Sequence, residues 1–150
     1  MPRVALVSIL CTGCLISDVQ RRDDLWCDAL TIAAFQTPYV QRDGETAPLD
    51  SGSVRLLLTD GDALISYRPD NGGRKHIIAD SAIELDILDE FGRRAEIIEV
   101  IDEHECDNIA RRWIVDIEPR DYFLLIDEGD LDIPEVSLFA EDESDLRTTE

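Results

Sequence analysis

The chain has one lysine, Lys75, one methionine and two histidines among its 150 residues. Every other basic side chain is an arginine. Asp and Glu number 34 against 14 basic residues, a net charge of −20. A surface so poor in cations repels nucleic acid phosphates and anionic lipid headgroups. Direct nucleic acid binding is therefore not expected, and a partner with a basic face is. No apolar run reaches the roughly 18 residues of a membrane span. The GxSxG elbow, the phosphate-binding loop and the GxGxxG fingerprint are all missing. Ser and His residues are present, but no spacing assembles a triad. The sequence thus points to a non-enzymatic protein without a cofactor.

What is present suits one domain of ordinary size. The apolar fraction is 44%, enough to bury a core without disulfide staples. Three readings account for the acidity. The plain one is a solvated surface. Adaptation to high salt is suggested by Asp outnumbering Glu and by the scarcity of lysine, whereas Ile outnumbering Val and four cysteines speak against it. The third is mimicry of nucleic acid, with carboxylates imitating phosphates so as to occupy a basic groove.

Residues 3–16 are apolar and rich in β-branched types, and read as a buried strand. Ser17 with Gln20 three residues later forms a capping-box pattern, and Asp18 favours the positive end of a helix. Apolar spacing through Val19, Leu25, Trp26, Leu30 and Ala33 predicts a helix over 18–35, ended by Pro38. Residues 37–52 form a polar connection. The N-terminus also invites comparison with targeting signals. Arg3, the apolar run VALVSIL and Gly13 before Cys14 are similar to a short lipoprotein signal, although Cys11 sits where an aliphatic residue is usual.

From Ser53 the period changes to two. SVRLLLTD, ALISYRP and RKHIIAD are short apolar runs separated by Asp60–Gly61–Asp62 and by Asp70–Asn71–Gly72–Gly73, residue types that supply hairpin turns. Ile83, Leu85 and Ile87 alternate with Glu84 and Asp86, as in a strand with one wet face. Phe91 to Arg93 turns the chain, and residues 95–101 return. Ile109, Arg111, Trp113, Val115 and Ile117 share one side of a further strand, and Trp113, Ile114 and Val115 favour sheet over a competing helix across 106–117. Residues 118–121 turn again before YFLLID. The expected fold is mainly β: an antiparallel β-sandwich or partly open barrel of six to seven strands from residue 53 to 127, with an N-terminal strand and one helix. It forms a single domain over 1–130, made of a strand–helix segment (1–36), a connection (37–52) and the β-rich part. Residues 131–150 read as an acidic C-terminal arm. No internal repeat is visible.

Candidate sites divide by chemistry. Cys11 and Cys14 supply one CxxC; a zinc site would draw its remaining ligands from Cys27, His104 and Cys106, yet no second knuckle follows. A redox dithiol would need its CxxC at the helix start, and the cap at Ser17 lies beyond Cys14. The plain reading is small apolar thiols in a reduced core. His76 reads as structural, and His104 is flanked by Glu103 and Glu105. Asp127, Glu128, Asp130 and Asp132 around Gly129 carry oxygen ligands of the kind calcium takes, without the order of an EF-hand loop; a solvated turn is the plain alternative. Three arginine pairs stand out: Arg21–Arg22, Arg93–Arg94 and Arg111–Arg112. They either hold neighbouring carboxylates within the chain or form interfaces with other subunits, copies of the chain included.

The sequence therefore supports a structural or interaction subunit of a larger assembly, such as the capsid, neck or tail of a virus particle, docking through charged faces and terminal arms. The alternatives are an acidic nucleic-acid mimic that inhibits a DNA- or RNA-binding protein, and a lipid-anchored exported binding protein. A cytoplasmic assembly or virion is the expected location, ahead of export.

Overall fold

The computed structural model describes residues 26–28, 30, 47–49, 53–58, 60–102 and 106–142. Among them, residues 26–28 and 30 are helical, within the span where the sequence places its helix. The strands are β1 (Ala47–Pro48), β2 (Ser53–Leu57), β3 (Asp62–Tyr67), β4 (Gly73–Ala79), β5 (Glu84–Asp89), β6 (Glu96–Ile101), β7 (Arg111–Ile117), β8 (Tyr122–Asp127) and β9 (Glu135–Asp142). The expected N-terminal strand lies outside the described residues.

The strands build two sheets, a four-stranded one in the order β1-β3-β8-β5 and a five-stranded one in the order β2-β9-β4-β7-β6. All pairings are antiparallel except the short parallel contact of β1 with β3. The fold is a mainly antiparallel β-sandwich. Between residues 53 and 127 it holds β2 to β8, within the six to seven strands that the two-residue period predicts.

The connections differ from the hairpins that the turn residues suggest. Of consecutive strands, only β6 and β7 lie in the same sheet. Asp60–Gly61, the 70–73 turn, the 90–95 turn and residues 118–121 each carry the chain from one sheet to the other. Stacked sheets lie about 10 Å apart, a gap that three or four extended residues span. The turn chemistry is unchanged by this. Asp60 and Gly61 adopt φ of 55° and 81°, and Gly92 adopts 76°. The positive φ at Gly61 favours glycine, and a Cβ there would displace the Glu128 carboxylate, 2.6 Å away. After Asp89 the chain is held by Gly92 N–H on the Asp89 carbonyl (2.9 Å) and Ala95 N–H on the Ile87 carbonyl (2.9 Å). It then leaves β5 and pairs with β7 in the opposite sheet.

The core fills the space between the sheets. Ala63, Ile65 and Tyr67 of β3, Leu85 and Ile87 of β5, and Tyr122, Leu124 and Ile126 of β8 point inward from one side. Val54, Leu56, Ile77, Ala79, Trp113, Val115, Ile117, Val136 and Leu138 meet them from the other. Removing most of one such leucine costs about 2–5 kcal/mol, the lost transfer energy plus the cavity left behind.

One feature corrects the sequence reading and a second goes beyond it. Residues 135–142, placed there in an acidic arm, form β9, hydrogen-bonded to β2 on one side and β4 on the other. Val136, Ser137 and Leu138 are buried in succession. A central strand covered on both faces does not alternate, so its period is hidden. Residues 143–150 lie outside the described residues. Lys75 is the second feature. It shares the inward side of β4 with Ile77 and Ala79, is 2% exposed, and ion-pairs with Asp142 opposite it on β9.

Candidate functional site

The outer face of the five-stranded sheet is covered. Trp26 and Leu30 pack with Ile78, Cys106 and Ile109, and Cys27 and Phe139 lie against them. The Trp26 ring stacks on His76 at 5.7 Å, and the Arg112 guanidinium sits 4.7 Å from the indole centroid, a cation–π contact. The indole N–H donates to the Glu141 carboxylate. His76 is thus buried against Trp26, deeper than the surface or half-buried place expected for a structural histidine there.

Cys27 and Cys106 form a disulfide with a Cα–Cα distance of 6.1 Å, within the ordinary range. The bond ties the helical residues to the loop before β7. This overturns the reduced-thiol reading for these two residues and removes both from any zinc set. Cys11, Cys14 and His104 lie outside the described residues.

The acidic turn after β8 closes on itself. The Asp127 carboxylate accepts the Gly129 N–H at 2.7 Å, and the Glu128 carboxylate accepts the Ile133 N–H at 3.2 Å. Asp130 and Asp132 are exposed. Among the described residues no three His, Cys, Asp or Glu side chains are grouped so as to hold a metal ion, and Asp127, Asp130 and Asp132 are included in that statement.

Four of the six arginines singled out by pairing are described; Arg21 and Arg22 are not. Arg111 grips the Asp102 carboxylate with two donors at 2.6 and 2.9 Å and donates to the Ile83 carbonyl at 2.9 Å. The bond to Asp102 raises its pKa further, against a smaller opposing effect of burial. Arg112 is spent on Trp26. Arg93 donates to Asp89 at 3.0 Å, and Arg94 lies 3.8 Å from Asp86. Arg93, Arg94 and Arg111 thus lie against carboxylates of the same chain, while the Arg112 guanidinium lies over the Trp26 ring. Arg93 and Arg94 nevertheless stay 65% and 76% exposed.

Asp89 anchors this corner. Burial alone would raise its pKa, but the N–H groups of Arg93 and Phe91 and the Arg93 guanidinium outweigh that and hold it below the usual carboxylate range. Arg120, which pairing rules pass over, reaches the same carboxylate at 3.6 Å and also pairs with Glu118. Together Asp89, Arg93, Arg94, Arg120, Asp116 and Tyr122 line an open hollow of about 310 Å³.

The outer face of the four-stranded sheet is different. Tyr122, Leu124 and Ile126 point inward, so Phe123 and Leu125 point outward, and they are 38% and 40% exposed. The register builds three rows across β3, β8 and β5: Asp62, Asp127 and Glu84; then Leu64, Leu125 and Asp86; then Ser66, Phe123 and Leu88. Leu64, Ser66 and Leu88 are half-buried. A hollow of about 200 Å³ opens beside Phe123, bounded by Ser66, Tyr67, Arg68 and Asp121. The alternation YFLLID carries the signal for this face, since its outward members include two large apolar residues where a wet face would be polar.

Fold and surface together define an antiparallel β-sandwich in which, among the described residues, one sheet face is capped and the other is not. No protein-family model matches the chain, and no curated protein matches it in sequence. Two solved structures are similar in shape. One is the pre-peptidase C-terminal domain of a collagenase from Bacillus anthracis, 9% identical at a TM-score of 0.44, with 71% of this chain and 98% of that one covered. The other is a "putative secreted protein" from Eubacterium rectale, 8% identical at a TM-score of 0.47, with 74% of this chain and 42% of that one covered. No helix among the described residues is long and apolar enough to cross a membrane.

Proposed function

We propose that this chain is a non-catalytic interaction domain that works in an oxidising compartment and docks onto a protein partner through the outer face of its four-stranded sheet. The observation that carries the reading is the outward pair Phe123 and Leu125, exposed side by side at the centre of a sheet between Leu64 and Leu88. Contiguous apolar surface rimmed by charge marks a contact site more often than a bare exterior. The Cys27–Cys106 bond supports the compartment, because disulfides persist where thiols are not kept reduced. Export thereby gains over the cytoplasmic location favoured by composition. A subunit of a larger assembly, a virus particle included, would use the same face. A nucleic-acid mimic needs two rows of carboxylates on one face; here a single acidic row is followed by Leu64 and Leu125.

A photo-crosslinking residue at position 123, compared with one at Arg74 on the opposite outer face, tests this in the native source. Protein adducts at 123 and not at 74 are expected. Equal adducts at both positions, or none at 123, would contradict the reading.

A further inference from the structure

Resting on that docking reading, we infer the chemistry of the partner: a protein segment that presents a lysine or arginine followed by apolar side chains, laid along β8. Asp62, Asp127 and Glu84 stand directly opposite one another on three adjacent strands. Residues so placed have Cβ atoms about 5 Å apart, and like charges there repel. Among the described residues none of the three has an ion-pair partner within 4 Å; the Arg111 charge acts on Glu84 from further off, and the only bond made by their side chains is the Gly129 N–H on Asp127. The free protein carries this repulsion. A cation seated over the row would relieve it, and the chain's charge of −20 would steer such a cation inward.

The next rows fix what must follow the cation. Leu125 lies two residues from Asp127 on the same side of β8, and Phe123 two residues further. Two residues of strand rise about 7 Å. An extended segment running with its side chains facing this surface therefore matches it with a basic residue, an apolar residue two positions on and another two beyond that. The last would meet Phe123 and the hollow of about 200 Å³ beside it. Asp86, next to Leu125, already has Arg94 at 3.8 Å, so the cation preference concentrates on the end row.

The test is selection of a random dodecapeptide library on the immobilised full chain, followed by affinity measurement of the enriched peptides. Wild-type protein should enrich peptides that combine Lys or Arg with apolar residues at alternate positions. The Asp62→Asn, Glu84→Gln, Asp127→Asn variant should bind them about tenfold more weakly, about 1.4 kcal/mol. Raising salt from about 0.05 M to about 0.5 M should weaken wild-type binding and leave that variant nearly unchanged. The Phe123→Ser, Leu125→Ser variant should lose binding altogether. If the carboxamide variant binds as tightly as wild type, the cation inference is wrong while the docking face stands. If the serine variant also binds as tightly, the docking face itself is wrong. Recovery of no peptide, of acidic peptides, complete displacement by calcium chloride alone, or a dimer of the chain that Phe123→Ser dissociates would each overturn the inference.

Discussion

Trp26 and Phe123 are aromatic side chains lying on opposite outer faces of one sandwich, yet Trp26 is 2% exposed and Phe123 is 38% exposed. Over the five-stranded sheet, a few helical residues fastened by the Cys27–Cys106 bond seal Ile78 and Ile109 from water and lie against half-buried Phe139. Over the four-stranded sheet the central strand sends Phe123 and Leu125 outward. Both faces are partly apolar; among the described residues, only the first is covered by side chains from outside its sheet. Apolar area hidden inside a chain contributes to folding, whereas area left outside can contribute only to association. The first face should therefore respond to mutation in stability, and the second in binding.

The largest effect that would sharpen this contrast is loss of the staple. Replacing Cys27 and Cys106 by serine frees a loop with a sequence separation of 79. The expected destabilisation is about 4 kcal/mol in urea unfolding, and a reducing agent should reproduce it on the wild type. Trp26→Ala comes next, with an expected loss of about 3–4 kcal/mol from the cavity and the vacated contacts with His76 and Arg112. If either change costs no more than a surface substitution, the closed face is not structural.

The interior shared by both sheets supplies a control that belongs to neither face. Burial, then the negative charges of Asp142 and Asp70, push the Tyr67 hydroxyl from 10.0 up to about 12. Below pH 10 the phenol is neutral whether the chain is folded or not. Between 10 and about 12 the unfolded chain ionises while the folded one does not, so stability falls by about 2–3 kcal/mol across that window. Tyr67→Phe should flatten this alkaline limb in midpoint-against-pH measurements. Asp80 acts in the same direction in a lower pH window. Burial raises its pKa despite hydrogen bonds from Ser137 and Ser81. A raised carboxyl contributes in acid and loses that contribution as pH rises through its folded value. Asp80→Asn, which can still accept the Ser137 N–H, should raise the melting midpoint at neutral pH and lose that advantage in acid. The smallest expected stability effect is on the open face: Phe123 and Leu125 are 38% and 40% exposed, and replacing either by serine should cost about 1 kcal/mol.

How much of this was legible in the sequence follows from what each pattern encodes. The two-residue period of Ile83 to Ile87 and of Trp113 to Ile117 reports one wet and one dry side, and it locates strands from residue 53 to 127. It does not report which sheet a strand joins, because a turn within a sheet and a turn between sheets use the same Asp, Asn and Gly chemistry. β9 is masked for a different reason. Its buried middle, Val136 to Leu138, does not alternate, while Glu135, Glu141 and Asp142 at its ends resemble the acidic residues beyond. The inward position of Lys75 is readable in parity with Ile77 and Ala79, but a charged residue there makes sense only once Asp142 is known to lie opposite. The disulfide joins cysteines whose spacing has no motif, and pairing cannot be deduced from sequence alone. Of the open face of the four-stranded sheet, the outward positions of Phe123 and Leu125 follow from alternation alone. The acidic row does not, since it depends on the register of β3 and β5 against β8.

Hydroxyl-radical footprinting of the purified, oxidised chain, read residue by residue by mass spectrometry, measures the difference between the two faces most directly. Phe123 and Leu125 should be modified readily and Trp26 protected until the Cys27–Cys106 bond is reduced. Protection of Phe123 in the isolated monomer, or modification of Trp26 at the same rate with the disulfide intact, would contradict the assignment of one closed and one open face.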